Sequence, residues 1–504
     1  MFGLNRGGLT LSTLTEEIDT RVADGGEPTP RGRFWHPSVA DLVFIGVASA
    51  VMGAGSRLTA SDGDLGRHLR VGEWIIENWR IPTTDLFSHT MQGEPFVPHE
   101  WLSEVLFAIA HRLGGLNGVA LLSAAVIALP FALLVRAMHR RGVSLWWLVS
   151  FTMLIAVTAM IHALARPHIF TFTFIVLFVT SLDGFRRGER SSVWLLVPLT
   201  VLWANLHGAF IVGFVLIGTF WLGWLLERPR SERHGRHLVI VGVSALFAAA
   251  VLNPAGPKLI WNSVSYLMSG PLVHLTQEYQ SPDFHDWRLW PFLALLLLAV
   301  ASLGRQPWTI RILVVMWSVF ALVSLRNIPI FALACGPFVA EVISSGRDSR
   351  PDRGPIRIAG LSILAPVALV VLGVVYGTIR PDHFAYPPDR FPTAAVQEVG
   401  PEQLGRVFNE FIWGGYLLYC CWPDTSVFID GQTDFYGTEL TLDYGAAVTG
   451  SPEWAHVLDK YHVDSVMIPP ERPLAQILSL DNGWDEIYRD ETTVVFARGS
   501  SGGA

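Results

Sequence analysis

SDGDLGRHLRVGEWIIENWRIPTTDLFSHTMQGEPFVPHEWLSE, residues 61–104, is the stretch around which the chain is organised. It follows the first long apolar run and concentrates groups that can do chemistry: Asp62, Asp64, Arg67, His68, Asp85, His89, His99, Glu100 and Glu104. Asp62 to Trp79 contains no proline, and Leu65, Leu69, Trp74, Ile75 and Ile76 form a partly amphipathic face, which predicts a helix. On that helix Asp64 lies four residues from His68 and three from Arg67, so the three side chains are expected on one face. Helix starts attract aspartate in any case, because free backbone N–H groups favour a carboxylate. Capping alone therefore also accounts for Asp62 or Asp64.

The surrounding chain is apolar. Of its 504 residues 51% are hydrophobic and 16% charged, against about 25% charged in soluble domains. This excludes an ordinary soluble enzyme and predicts a polytopic α-helical membrane protein. Runs near 38–56, 116–138, 145–163, 168–185, 192–206, 208–226, 237–252, 288–303, 308–325, 327–344 and 356–378 give about 11 spans when judged against roughly 20 residues per crossing. With the N-terminus inside, the inner loops carry Arg140 and Arg141; Arg186, Arg187 and Arg190; Arg228, Arg230, Arg233 and Arg236; Arg305 and Arg311; and Arg347, Arg350, Arg353 and Arg357. That is the positive-inside pattern of a plasma (inner) membrane protein, and an odd span count leaves the C-terminus outside. Residues 1–36 are polar without periodicity and are expected to be a disordered cytoplasmic tail, with no cleavable signal peptide. Cys335, Cys420 and Cys421 make neither a disulfide framework nor a zinc spacing.

Polar signatures sort to the opposite, outer side. They are the first outer loop, 57–115; Arg166-Pro-His168; Asn205-Leu-His207-Gly208; Asn253-Pro-Ala-Gly256; the loop from Gln277 to Asp286; and Arg326-Asn327-Ile-Pro329. Charged and amide groups beside a membrane segment are costly and usually face a cavity or partner, so their shared side predicts one polar cavity there. Taken singly, Asn253-Pro254 also reads as a helix end, and Arg166 and Arg326 as snorkelling side chains. Within the loop, Pro82 to Ser88 reads as an extended connector. Glu100 to Gly114 reads as an amphipathic helix on the membrane surface.

Residues 381–504 change character. Short apolar runs at 406–409, 426–430, 465–468, 486–489 and 492–497 alternate with helical segments near 413–421, 438–447, 452–461 and 473–480. This predicts an extracytoplasmic α/β domain after a membrane domain spanning 37–380. No GxGxxG or P-loop is present, and nothing points to nucleic acid as a partner.

Three motifs in the first outer loop carry a resemblance: Asp62-Gly-Asp64-Leu-Gly-Arg-His68-Leu69, Pro82-Thr-Thr-Asp85-Leu-Phe87-Ser88 and His99-Glu100-Trp101-Leu-Ser-Glu104. Trp203-Ala-Asn205-Leu-His207-Gly208, Trp413-Gly-Gly-Tyr416 and Ile429-Asp430-Gly431 join them. With these the chain resembles the bacterial GT-C glycosyltransferases, relatives of the protein O-mannosyltransferases and the aminoarabinose lipid A transferase. The resemblance implies a GT-C fold with an acidic reaction centre in the first outer loop. It also implies a polyprenyl-phosphate-sugar donor. Many family members carry Asp-Glu at the catalytic position, where this chain has Asp62-Gly-Asp64-Leu; the spacing to Gly72 makes Asp64 the better match and Asp62 the second.

Inverting transfer to a hydroxyl needs one carboxylate base, and Asp64 takes that role. Arg67, Arg166 and Arg326 are candidates for the lipid phosphate, because guanidinium pairs phosphate through charge-assisted bonds. His68, His99, Glu100, Asn205 and His207 are candidates to orient the base or the acceptor, which is a lipid, a glycan or a protein. Asp62, Asp64, His68, His99 and Glu100 are ligand types for a divalent metal, but no metal-specific spacing appears, so no cofactor is assigned. The alternatives are a transporter or flippase of a lipid-linked saccharide and a non-catalytic envelope scaffold. Transporters usually show repeat-related halves and ionisable groups near mid-membrane, and neither is visible here.

Overall fold

The computed structural model describes residues 36–499 apart from 62, 97, 190–192, 228–231, 262–276, 346–357 and 359. The expected tail up to residue 35, Asp62 and seven of the expected inner arginines (Arg190, Arg228, Arg230, Arg347, Arg350, Arg353 and Arg357) lie outside the described residues.

The chain is a polytopic helical membrane protein with a small C-terminal sheet domain. Its main helices are α1 Val39–Gly53, α2 Leu65–Asn78, α3 Trp101–Arg140, α4 Leu145–Ala159, α5 Ile169–Arg186, α6 Leu196–Leu206, α7 Ile211–Glu227, α8 Glu232–Leu252, α9 Trp290–Ser302, α10 Trp308–Val323, α11 Ile328–Ser344 and α12 Leu364–Ile379. Among the described residues, seven helices are long and apolar enough to cross a membrane: Trp101–Arg140, Leu145–His162, Ile169–Arg186, Gly208–Glu227, Gly235–Leu252, Trp287–Arg305 and Leu325–Ser344. Shorter apolar helices at Val39–Gly53, Val193–Leu206, Trp308–Val323 and Leu364–Ile379 fall on the remaining expected spans. Helix α3 is two elements in one. Gly114 leaves helical geometry and Gly115 sits at φ 58°, a conformation that favours glycine. The amphipathic segment and the span that follows are thus separated at this kink.

The two ends of α5 differ in kind. At its C-terminal end Asp183, almost fully buried, is held by Arg141 at 2.6 Å, Arg186 at 2.8 Å and Arg187 at 2.8 Å. Arg187 also reaches Glu341 of α11 at 2.8 Å. These are inner-loop arginines of the sequence pattern. The first loop and the C-terminal domain lie at the other end.

That domain contains α13 Thr393–Val399, β1 Arg406–Asn409, α14 Gly414–Cys420, β2 Ser426–Val427, α15 Thr433–Val448, α16 Trp454–Lys460, β3 Ser465–Ile468, α17 Pro473–Leu478, β4 Trp484–Arg489 and β5 Val494–Arg498. The five-stranded sheet runs β2-β1-β3-β5-β4. β2, β1 and β3 are parallel, and β5 and β4 close the sheet antiparallel. The alternation of short apolar runs with helices foreshadows the strands and helices along the chain, while the sheet order is seen only in the fold.

The first loop is built into this domain. Ser88 forms a parallel bridge with Val427, His89 N–H donates to the Val427 carbonyl at 3.1 Å and Thr90 Oγ1 to the Phe428 carbonyl at 2.7 Å. The connector thereby extends the sheet at β2, using backbone groups an edge strand leaves open. Helix α2 is gripped on two sides. A Cβ on Gly72 would stand 2.1 Å from the Glu104 carbonyl of α3, and one on Gly66 would stand 2.0 Å from the Gly415 carbonyl of α14. The helix begins at Leu65, not at Asp62, because Gly63 turns at φ 79° with its Cα against the Ile412 carbonyl.

Arg67 fastens α2 to the domain. Its guanidinium pairs with Asp430, which also accepts from Tyr436 Oη and Gln432 N, each at 3.0 Å. The rings of Phe96, Phe87 and Phe435 lie 5.0, 5.8 and 5.9 Å from the guanidinium. Arg67 is 3% exposed and Asp430 not at all. The single face expected for Asp64, Arg67 and His68 is therefore corrected. Arg67 turns to the sheet domain and is sealed from the site, which removes it as a phosphate ligand.

Breaking one side of such a buried pair strands a charge, at a cost of roughly 3–5 kcal/mol. Asp430→Ala should lower the unfolding temperature sharply in detergent or lipid. The Arg67→Met/Asp430→Ala pair should recover part of the loss, and a double-mutant cycle reads the coupling. A second expectation concerns pH. Burial pushes His89 down to about 4 from 6.5, even though its ring faces the Val407 carbonyl at 3.4 Å. The folded state therefore keeps His89 neutral where the unfolded chain takes up a proton. Stability is present above pH 6.5 and lost as pH falls toward 4. Thermal unfolding should follow that fall, and His89→Gln should flatten it.

Candidate functional site

Asp64 caps the start of α2 by position, but its side chain makes no capping bond. The carboxylate turns instead to Arg166, 2.6 Å away, in the turn that leads into α5. It rests on the backbone of Gly431, where a Cβ would come within 1.5 Å of Oδ1. The C-terminal domain thus sets the position of the carboxylate, and Gly431 is the side-chain-free surface that makes room for it.

Arg166 is shared. Its Nη1 lies 3.1 Å from Oε1 of Glu278, and Arg326 approaches the same carboxylate, with Nη1 3.9 Å from Oε2. Arg326 also donates to Tyr279 Oη at 2.7 Å and lies over the Tyr279 ring. Glu278 is held in place through its backbone: Ser324 Oγ donates to the Glu278 carbonyl and Leu325 N–H to the Gln280 carbonyl, both at 3.0 Å. Burial disfavours its charge, but the two arginines, helped by His162 and His168, outweigh this and hold the carboxyl down at about 2. The result is a row of alternating charge: Asp64, Arg166, Glu278, Arg326.

A second group stands around Glu100, at the start of α3. Gly208 N–H donates to Oε1 at 3.3 Å, His207 Nε2 lies 3.5 Å from it and His99 Nε2 3.7 Å. Trp203 Nε1 donates to Thr171 Oγ1 at 2.9 Å, and Thr171 Oγ1 lies 2.8 Å from His207 Nδ1. A hydroxyl that accepts from the indole has its proton free for His207 Nδ1. His207 is then the Nε2–H tautomer, with that proton toward Glu100. Burial drives His207 down to about 3, consistent with a neutral ring. His68 lies beneath, with Nδ1 3.2 Å from Glu104 Oε1. Burial alone would lower His68, but the bond to Glu104 and the charges of Glu104, Glu100 and Asp64 raise it.

The structure therefore brings together Asp64, Arg166 and Arg326, and separately His99, Glu100 and His207. Asn205 is placed elsewhere in function. Its Oδ1 accepts from Trp101 Nε1 at 2.6 Å and Asn253 Nδ2 at 3.3 Å, and its Nδ2 donates to the Val201 and Leu252 carbonyls at 2.8 and 3.3 Å. With both ends of the amide engaged, it ties the first loop to α6 and α8 instead of orienting a substrate. Sequence reasoning placed the 277–286 loop at the cavity but missed Glu278 as a member of the arginine row; an acid flanked by arginine-bearing turns is the signal. It also missed Glu104 as the partner of His68.

Among the described residues no group of three or more His, Cys, Asp or Glu is arranged to hold a metal ion. Asp64 and Glu278 do not fit one as they stand, because the Arg166 guanidinium lies between them.

No protein-family model and no curated protein matches the sequence. Solved structures do. An Archaeoglobus fulgidus oligosaccharyltransferase in the apo form is 13% identical, with 93% of this chain and 75% of that one covered at a TM-score of 0.59. The oligosaccharyltransferase AglB of Archaeoglobus fulgidus, in complex with an inhibitory peptide and a dolichol-phosphate, is 13% identical over 91% of this chain and 74% of that one, TM-score 0.58. ArnT from Cupriavidus metallidurans bound to undecaprenyl phosphate is 13% identical over 91% and 98%, TM-score 0.48. At such identity the likeness to the two archaeal structures shows architecture, and by its architecture this chain is a GT-C fold membrane protein.

Proposed function

We propose that the protein is a membrane glycosyltransferase that moves a sugar, with inversion, from a polyprenyl-phosphate-linked donor to a hydroxyl acceptor. The observation that carries this reading is the Asp64–Arg166 pair, at the end of the bundle where Arg326 also converges, in a GT-C fold. Asp64 takes the acceptor proton as the acceptor oxygen attacks the anomeric carbon. The bond from that carbon to the phosphate oxygen breaks on the opposite side, and polyprenyl phosphate leaves. Arg166 and Arg326 neutralise the charge that gathers on the leaving phosphate. While Arg166 is paired with Asp64 the carboxylate is a weak base; a phosphate that draws the guanidinium away restores its basicity. His99, Glu100 and His207 border the acceptor side, with Asp62 as the second candidate base. The arginine-rich end of the bundle faces the cytoplasm, so the site and the C-terminal domain, 381–504, open outside the plasma membrane.

The test uses the full chain in lipid, a panel of polyprenyl-phosphate sugars and envelope extract as acceptor, with release of polyprenyl phosphate as the readout. Wild type should release it, and Asp64→Ala should lose about 10²–10⁴ of the rate. Equal release by both would move the base to Asp62 or Glu100. No release by folded wild type across the panel would favour transport or scaffolding. Gly431→Ala should also lower the turnover rate, with a smaller change in KM, because its Cβ claims the space of the Asp64 carboxylate.

A further inference from the structure

Two arginines from separate turns, one before α5 and one before α11, meet on the carboxylate of Glu278. That carboxylate stands where an anionic ligand of the pair would stand. We propose that Glu278 is a resident anion in the donor-phosphate site, displaced from Arg166 and Arg326 when a lipid phosphate binds. The inference rests on the phosphate-binding reading of the preceding section and adds the group that competes with the ligand.

Charge makes the case. Asp64 and Glu278 balance Arg166 and Arg326 one for one. The donor's phosphodiester brings one negative charge, and the polyprenyl phosphate released from it, a monoester, about −1.5 to −2 at neutral pH. Set against an already neutral row, either phosphate meets two carboxylates at close range, a like-charge contact that opposes binding. With Glu278 out of the row, the same phosphate faces two guanidiniums and one carboxylate. The geometry permits that exchange without moving the backbone: the segment is tied down by the Ser324 and Leu325 bonds, whereas the Glu278 side chain is 29% exposed and has a route to water. Arg326 keeps Tyr279 Oη as a partner through the exchange, which holds its guanidinium in place.

The test measures binding of farnesyl phosphate to the full chain in nanodiscs by titration calorimetry, for wild type, Glu278→Gln, Arg326→Gln and the double variant, with unfolding temperatures confirming the fold. Glu278→Gln keeps the shape and removes the charge. It should bind about tenfold tighter than wild type, and the gain should vanish in the Arg326→Gln background. If wild-type binding depends on Arg326 but Glu278→Gln binds no more tightly, the resident-anion inference is overturned and the phosphate site stands. If no variant binds, or binding ignores Arg326, the phosphate reading itself fails and the inference with it. Inorganic phosphate is the comparison probe: binding as tight as that of farnesyl phosphate would contradict a site for a lipid phosphate.

Discussion

The Arg67–Asp430 pair is the constraint on which the rest depends. A guanidinium and a carboxylate are buried together under three aromatic rings, between a first-loop helix and the turn after β2. Removing two charges from water is expensive; the carboxylate is met by Arg67 and by donors from Tyr436 and Gln432, and the guanidinium by Asp430 and the faces of three aromatic rings. What the pair provides is register. It fixes the rotation of α2, and three residues back along the chain Asp64 is then set against Gly431 on one side and Arg166 on the other. The C-terminal domain is thus part of the wall that aims the carboxylate, and the close approaches at Gly66 and Gly72 leave α2 little freedom to slide.

Charge is arranged differently at the two ends of α5. At the C-terminal end one buried aspartate gathers three arginines and locks helices together. At the site end acids and arginines alternate in a row that is partly open to solvent. With Glu341 and Glu227 on the same arginines, the first arrangement sets three carboxylates against three guanidiniums around an almost fully buried Asp183. The second is balanced and rearrangeable, which suits a place where an anionic ligand arrives and leaves.

Much of this was legible in the sequence. Apolar runs of membrane length gave the helices, and the alternation of short strands with helices gave the sheet domain, including β1 and β3 to the residue. The family resemblance singles out Asp64, and residue type with shared sidedness singles out Arg166 and Arg326; the structure puts the three side chains within one row. What was not legible depends on tertiary contact. Helical spacing put Arg67 beside Asp64, but its partner is more than 360 residues away in sequence. Asn205 reads as a polar group at a cavity, whereas four hydrogen bonds make it a fastener. Glu278 lies in a loop without periodicity, and only the fold shows that two arginines meet on it. Asp430-Gly431 stands in the sequence only as one motif of the resemblance; the structure adds that one residue holds Arg67 and the next makes room for Asp64.

In the proposed function the arginine row at Asp64 receives the phosphate of a lipid donor. The most direct measurement is a density map of the protein in nanodiscs with a bound polyprenyl phosphate. The phosphate is predicted between Arg166 and Arg326, adjacent to the Asp64 carboxylate, with the Glu278 side chain withdrawn. A phosphate seated elsewhere on the bundle, with the row of four side chains intact, would contradict it.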